Sequence, residues 1–287
     1  MAEWRINLRE NLQDVLDTAP SGTVIRLPEG EFRQKIVIRT PRLTLLGAGR
    51  GRTRIVFDDC ARRMDKVGRP LGTFRSFTVA VTADQVTVRD LSILNDAGNP
   101  AQNGQQVALS VCADGFSMEG CRLASTQDTL FLGPLPPDLI LRYQDLLPPS
   151  LRGPRILSSR FVDCRVEGSV DFIFGGGAAR FEACELMSLF DGRTGGFVAA
   201  PSHALSQAEG FLFHRCRFTS GPGVAPGSVF LARPWRDYGL AVFEDCAYGP
   251  HIHPLGFDKW GATVRNETAR FYERPAVAGR VDWANRP

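Results

Sequence analysis

The sequence predicts an all-β protein: a single-stranded right-handed parallel β-helix, a solenoid, with a short N-terminal capping helix and one domain over residues 1–287. Three observations carry that prediction. Composition favours strands and turns, with 29 Gly, 19 Pro and 19 Phe against only 4 Tyr and 4 Met. Short apolar runs alternate with turn residues along most of the chain. Most informative, one phrase recurs: Met118-Glu-Gly-Cys121, Phe161-Val-Asp-Cys164, Phe181-Glu-Ala-Cys184, Phe213-His-Arg-Cys216 and Phe243-Glu-Asp-Cys246, with Val88-Arg-Asp-Leu91 as a sixth copy carrying Leu in the Cys place. Counted from Leu91 the intervals are 30, 43, 20, 32 and 30 residues. Coils that repeat their inward pattern while their turns vary in length give such spacing.

The elements follow in order. Asn7 and Glu10 fit a capping box, and Leu8, Leu12, Val15 and Leu16 share one helical face, so residues 1–20 are expected to cap the solenoid. Pro20 and Gly22 end that helix. Strands are expected at Val24–Leu27, Ile36–Ile38, Leu43–Leu46, Ile55–Phe57, Val79–Val81 and Val86–Ile93. A sandwich or barrel of hairpins is the alternative. Asn103-Gly104, Asp114-Gly115 and Asp191-Gly192 would serve as its turns, but they leave the Cys phase unexplained. Residues 133–156, rich in proline, read as a loop inserted into one coil. Residues 266–287 lack the repeat phrase and are expected to pack across the outside of the coils.

The 34 basic and 31 acidic residues leave a net charge of +3, which disfavours a nucleic-acid partner. No run approaches the roughly 20 apolar residues of a membrane span. The opening Met-Ala-Glu-Trp-Arg-Ile-Asn lacks the apolar centre of a signal peptide, so the sequence as it stands reads as cytoplasmic, or as secreted if a signal has been removed. A monomer is expected. Of the seven cysteines, those at 121, 164, 184, 216 and 246 mark one repeat position; they are expected to be reduced and to pack as small apolar groups, with Cys60 and Cys112 outside the phrase.

The same phase locates chemistry. Asp128 and Asp171 each fall seven residues past their Cys, so they should stack on coils ~4.8 Å apart. Like charges that close do not both ionise cheaply, and one pKa should rise. A carboxylate beside a carboxylic acid suits a nucleophile with a general acid/base. Asp191 shares the offset, but Phe-Asp-Gly-Arg-Thr-Gly-Gly reads as a turn, whereas Gln-Asp-Thr-Leu-Phe and Val-Asp-Phe-Ile-Phe-Gly each enter a strand.

Gln127-Asp128-Thr129-Leu130 and Asp171-Phe172-Ile173-Phe174-Gly175 resemble the two central motifs of the pectin methylesterases. Leu231-Ala232-Arg233-Pro234-Trp235 resembles that family's Leu-Gly-Arg-Pro-Trp, with Ala for Gly. Gly104-Gln105-Gln106-Val107-Ala108-Leu109 and Thr73-Phe74-Arg75-Ser76 complete an ordered set over roughly residues 20–265. The resemblance implies a right-handed parallel β-helix acting on methyl-esterified galacturonate, in pectin or its oligosaccharides. Asp171 would be the nucleophile, Arg233 would keep it ionised, and Asp128 would be the acid/base. Gln127 and Gln105 would donate to the oxyanion, each such donor being worth roughly 3 kcal/mol of barrier. Trp235, Trp260 and Thr73 would contact the sugar, alongside Gln105 and Arg233. The family's Gly-x-Tyr-x-Glu stands here as Gly30-Glu31-Phe32-Arg33-Gln34, a change expected to be structural. The inserted loop at 133–156 would wall the active site and favour short oligosaccharides.

No cofactor or metal is expected. His251-Ile252-His253 lacks further ligands, and the chain has no Cys-x-x-Cys, phosphate loop or Gly-x-Ser-x-Gly elbow. The basic stretch Cys60–Pro70, with Arg62, Arg63 and Lys66, reads as solvated surface that would also attract a polyuronate. Another β-helical pectin-active enzyme, a polygalacturonase-type glycosidase or a pectate lyase, would need a water-spaced carboxylate pair with a His motif or a calcium-binding acidic cluster. A non-catalytic carbohydrate-binding solenoid would leave both Asp, Arg233 and the two Gln unexplained.

Overall fold

The computed structural model describes residues 2–142 and 157–285. Every strand pairing between its named strands is parallel, and the strands stack into sheets of ten, eight and seven. Successive coils contribute one strand to each sheet, for example Phe116–Glu119, Arg122–Ala124 and Leu130–Leu132, followed by Ser158–Val162, Arg165–Gly168 and Val170–Gly175. This is the parallel β-helix that the repeat predicts.

The recurring phrase has a physical reading at each position. Its large apolar residue points inward and meets its own kind one coil away: Phe161, Phe181, Phe213 and Phe243 form a stack with ring centroids 4.7, 4.8 and 4.8 Å apart and planes within 13°. The residue before Cys turns the corner into the next sheet in the left-handed region, with φ of 55° at Asp90, 63° at Gly120, 47° at Asp163, 51° at Ala183, 52° at Arg215 and 51° at Asp245. Asp and Gly tolerate that conformation, whereas Ala183 and Arg215 are held in it by the stacked coils. The Cys then turns inward. The thiols of Cys164, Cys184, Cys216 and Cys246 donate weakly to the carbonyls of Met118, Phe161, Phe181 and Phe213 on the preceding coil, at 3.3–3.5 Å. All seven cysteines are free thiols.

Truncating a ring inside the stack leaves a void that its rigid neighbours cannot fill. Phe181→Ala is expected to cost about 3–5 kcal/mol in urea unfolding; a loss below about 1 kcal/mol would show that the stack does not hold the coils together.

Three elements differ from expectation. The run Val86–Ile93 is two strands, Thr87–Arg89 and Ser92–Asn95, because Asp90 turns the corner between them. The N-terminal helix spans only Leu12–Thr18, with Asn11 rather than Asn7 as its cap. Asn7 and Glu10 do bond, N–H to Oε2 at 2.6 Å, but they close a turn after a first strand Glu3–Arg5, and Leu8 is left exposed. Leu12 and Leu16 are buried and cover the open end. Gln34, where the resembled phrase has Glu, anchors this helix: its Oε1 accepts from Leu12 N–H at 2.8 Å. Finally, the segment after residue 266 does more than cross the outside. Arg270–Arg274 adds the tenth strand to the first sheet, and Trp283 closes the core end against Phe257 and Phe271. That strand fits because Phe271 and Glu273 both point inward, Glu273 meeting the buried Arg280 at 2.6 Å.

Candidate active site

The seven-stranded sheet carries apolar side chains on its outer face as well as its inner one. Phe131, Phe174 and Ala200 occupy equivalent outward positions on adjacent strands, and Phe74, Leu135 and Trp235 pack onto them. This second, smaller cluster floors a cleft. The polar candidates stand around it because of where the chain enters the sheet.

Asp128 and Asp171 sit at that entrance on adjacent coils. Gln127 bridges to Val170, and Leu130 pairs with Ile173, so the two Asp are level with one another. Asp128 N–H donates to Val170 O at 3.1 Å, and both Asp are in the left-handed region at φ 65° and 48°. Such conformations on non-glycine residues persist only where the surroundings impose them, and they cluster at functional sites. The glycine closing the second motif is required: a Cβ on Gly175, at φ 130°, would lie 1.9 Å from Leu132 O.

Arg233 follows the strand Val229–Ala232 and faces Asp171 with both edges of its fork: Nε donates to Oδ1 at 2.8 Å and Nη2 to Oδ2 at 2.6 Å. Its guanidinium lies between two aromatic faces, 3.7 Å from the Phe197 ring centroid and 4.0 Å from that of Trp260. A planar, weakly hydrated cation suits that slot where an ammonium would not. Trp260, expected to stack on sugar, thus has one face occupied by Arg233. Trp235 packs edge-on to Phe174 at 5.7 Å.

One cleft of about 270 Å³ is lined by Asp128, Asp171, Gln105, Gln127 and Arg233, and equally by Thr73, Trp235 and Trp260. Every candidate read from the sequence is brought together there. A larger, open groove of about 800 Å³ crosses the ten-stranded sheet between Ser117 and Tyr272, but it holds no pair of buried carboxylates. Among the described residues, no group of three or more His, Cys, Asp or Glu is placed to hold a metal ion.

The electrostatics divide the two carboxyl groups. Burial, and then the charge of Asp171, push Asp128 well above the ordinary carboxylate range, against the opposing pull of Arg233, a Gln127 hydrogen bond and Arg193. Burial also raises Asp171, but the bidentate Arg233 contact and its charge oppose that rise directly. A shared proton therefore belongs on Asp128, and the negative charge on Asp171.

The described part of the 133–156 stretch packs onto the outer cluster that floors the cleft, and none of its residues lines the cleft itself. Its helix Pro137–Arg142 buries Leu139 in the outer cluster, and Asp138 accepts from Arg236 at 3.2 and 2.8 Å. Residues 143–156 lie outside the described residues. The basic stretch at 60–70 is less free than expected. Arg62 donates to the carbonyls of Ala101 and Gln102, Arg63 pairs with Asp58 and Asp59, and Ala61 N–H donates to Gln105 O, so this loop braces the Gln105 segment.

Two residues at the site escape the sequence reading. Phe197 belongs to none of the motifs read there. Arg193 lies in the Asp191 turn, which is a turn as expected, yet its Nη1 donates to Gln127 Oε1 at 3.0 Å. The shared seven-residue offset of Asp191 was the available signal.

Comparison with known proteins bears on the family and the fold. A family model described as Pectinesterase matches residues 5–133 and 144–285, so it omits ten residues inside the inserted stretch. "Pectinesterase 31" of Arabidopsis thaliana is 31% identical over 92% of this chain and 77% of its own length. Several other curated relatives are longer, and the chain spans only 46% of them. The solved pectin methylesterase PemA of Erwinia chrysanthemi superposes with a TM-score of 0.80 at 25% identity, covering 98% of this chain and 92% of that one. A pectin methylesterase solved in complex with a hexasaccharide does so at 0.77 and 26% identity, covering 94% and 87%. With a family model matched over nearly its whole length and a relative 31% identical over most of both chains, the chain belongs to the pectinesterase family.

Proposed function

We propose that this cleft hydrolyses methyl esters of galacturonate units in pectin or its oligosaccharides, releasing methanol, with Asp171 as nucleophile and Asp128 as general acid and base. The observation that carries this reading is the asymmetry of two stacked carboxyl groups, one held by a bidentate guanidinium and the other left to burial and like charge. An Asp171 oxygen adds to the ester carbonyl carbon. The oxyanion so formed is met by the amide NH2 groups of Gln127 and Gln105. The bond to the methoxy oxygen breaks as Asp128 gives it a proton, leaving methanol and an acyl anhydride on Asp171. Water then adds to that carbonyl while Asp128 takes one of its protons, and the galacturonic acid carboxyl departs from a regenerated Asp171 with the other proton, which it loses to solvent. Trp235 and Thr73, which line the same cleft, receive the sugar in this reading. Trp260 serves first by holding Arg233.

All these groups come from one chain, so the reaction needs no residue from a second copy. Pectin is a cell-wall polymer, so the reading moves the site of action outside the cytoplasm, against the cytoplasmic expectation and toward the secreted one. Among the described residues, no helix is long and apolar enough to cross a membrane.

Methanol release from methyl-esterified pectin and from esterified oligogalacturonides, with chain length followed in parallel, tests the activity. Methanol without shortening is expected. Chain cleavage would instead indicate a glycosidase or lyase, and binding without either would indicate a carbohydrate-binding solenoid. The pH profile tests the charge assignment. Activity requires ionised Asp171, so its acid limb follows the Asp171 pKa. Removing the guanidinium in Arg233→Ala disfavours the carboxylate, raises that pKa further and shifts the acid limb to higher pH. An unmoved limb would separate Arg233 from the ionisation of Asp171.

A further inference from the structure

The turn between the strands Glu185–Ser188 and Gly196–Pro201 brings a second guanidinium within reach of Gln127, one of the residues that line the cleft. Arg193 is held from behind by Asp191, whose carboxylate is 2% exposed: Nε donates to its two oxygens at 3.1 and 3.0 Å, and Nη2 donates to Asp191 as well. From this anchored position Arg193 reaches back across two coils. Nη2 comes within 3.4 Å of Ser169 Oγ, and Nη1 donates to Gln127 Oε1 at 3.0 Å.

A guanidinium has donors and no acceptor, so only the oxygen of a side-chain amide can face it. That contact decides which way the Gln127 amide points. With its oxygen held by Arg193, the NH2 is left for the other side, where a Gln127 hydrogen bond acts on the Asp128 carboxyl. A half-turn of the amide would instead offer oxygen to the reacting carbonyl and repel the developing oxyanion. Nothing in Gln127 itself prevents that half-turn, because the two orientations have nearly the same shape.

We propose that Arg193, anchored by Asp191, is a positioning residue that locks the Gln127 amide with its NH2 toward the reacting ester carbonyl. This rests on the reading of Gln127 as an oxyanion donor. It assigns Arg193 no contact with the reacting atoms.

The test is a double-mutant cycle on Arg193 and Gln127, joined to a readout that needs no turnover. In Arg193→Ala, kcat for methanol release from an esterified oligogalacturonide is expected to fall about 10–100-fold, less than or equal to the loss of a full oxyanion donor, with KM nearly unchanged. Arg193→Lys, which also only donates, should recover part of the loss. On a Gln127→Ala background, Arg193→Ala should cost almost nothing further, because the group it positions is gone. A raised KM with intact kcat would make Arg193 a substrate contact and overturn the proposal, as would losses that simply add. Independently, the side-chain amide signal of Gln127 in 15N-correlated NMR, assigned by its absence from Gln127→Ala, should shift and broaden in Arg193→Ala. An unchanged signal would also overturn the proposal. Because that signal is read without catalysis, an enzyme that released no methanol would sink the esterase reading and leave the orientation of the amide separately decided.

Discussion

Asp171→Asn is expected to lower kcat for methanol release by about 10⁴-fold or more, the scale on which an enzyme loses its nucleophile. Asn is nearly isosteric with Asp, so the change removes the attacking anion and little volume. The variant should fold, with unaltered far-ultraviolet circular dichroism, because the backbone corner at φ 48° suits Asn as well as Asp. What it loses is the pairing that gives Arg233 its bidentate partner, so some loss of stability from an unpaired cation is expected alongside the loss of turnover. Methanol release within a fewfold of the parent would overturn the mechanism, since among the described residues no other carboxylate in the cleft is paired with Arg233.

Asp128→Asn is expected to act in opposite directions on activity and on stability. Without a proton donor the methoxide must leave unassisted, and kcat should fall about 10²–10⁴-fold. Esters of more acidic alcohols, which need less protonation to depart, should recover part of that loss; no recovery would remove Asp128 from the leaving-group step. Stability follows from linkage. The folded pKa of Asp128 lies well above its unfolded value, so its contribution is fully present below the ordinary carboxylate range and is lost as pH rises through the folded pKa. Asn carries no such cost. The variant should therefore melt higher than the parent at neutral pH, at roughly 2–4 °C for each kcal/mol regained. The advantage should shrink to nothing as pH falls into the ordinary carboxylate range. A variant that melts lower at neutral pH would contradict the assignment of the proton to Asp128.

Much of this site is legible in the sequence because a solenoid converts sequence offset into position. Once the Cys phase is read, Asp128 and Asp171 must stack, and the 43-residue interval between their cysteines resolves into one coil with a long turn. The same logic fails at coil corners. Val86–Ile93 reads as one strand because its apolar pattern continues through Asp90, and only the left-handed φ there splits it in two. The N-terminal box at Asn7 and Glu10 also forms as local chemistry dictates, but strand pairing of Glu3–Arg5 with Val24–Arg26 takes the preceding residues and delays the helix to Leu12.

By itself, then, the sequence determined what repeats: the inward ladder of Phe and Cys, the parallel coil it implies, and the level placement of two carboxyl groups. These depend on side-chain period and on a fixed strand spacing, which any stretch of chain carries locally. Only the tertiary structure decided what the turns contribute. The slot of Phe197 and Trp260 around Arg233, and the reach of Arg193 to Gln127, join residues whose separation is set by turns of different length. A turn has no period, so its side chains acquire neighbours only when the coils have stacked.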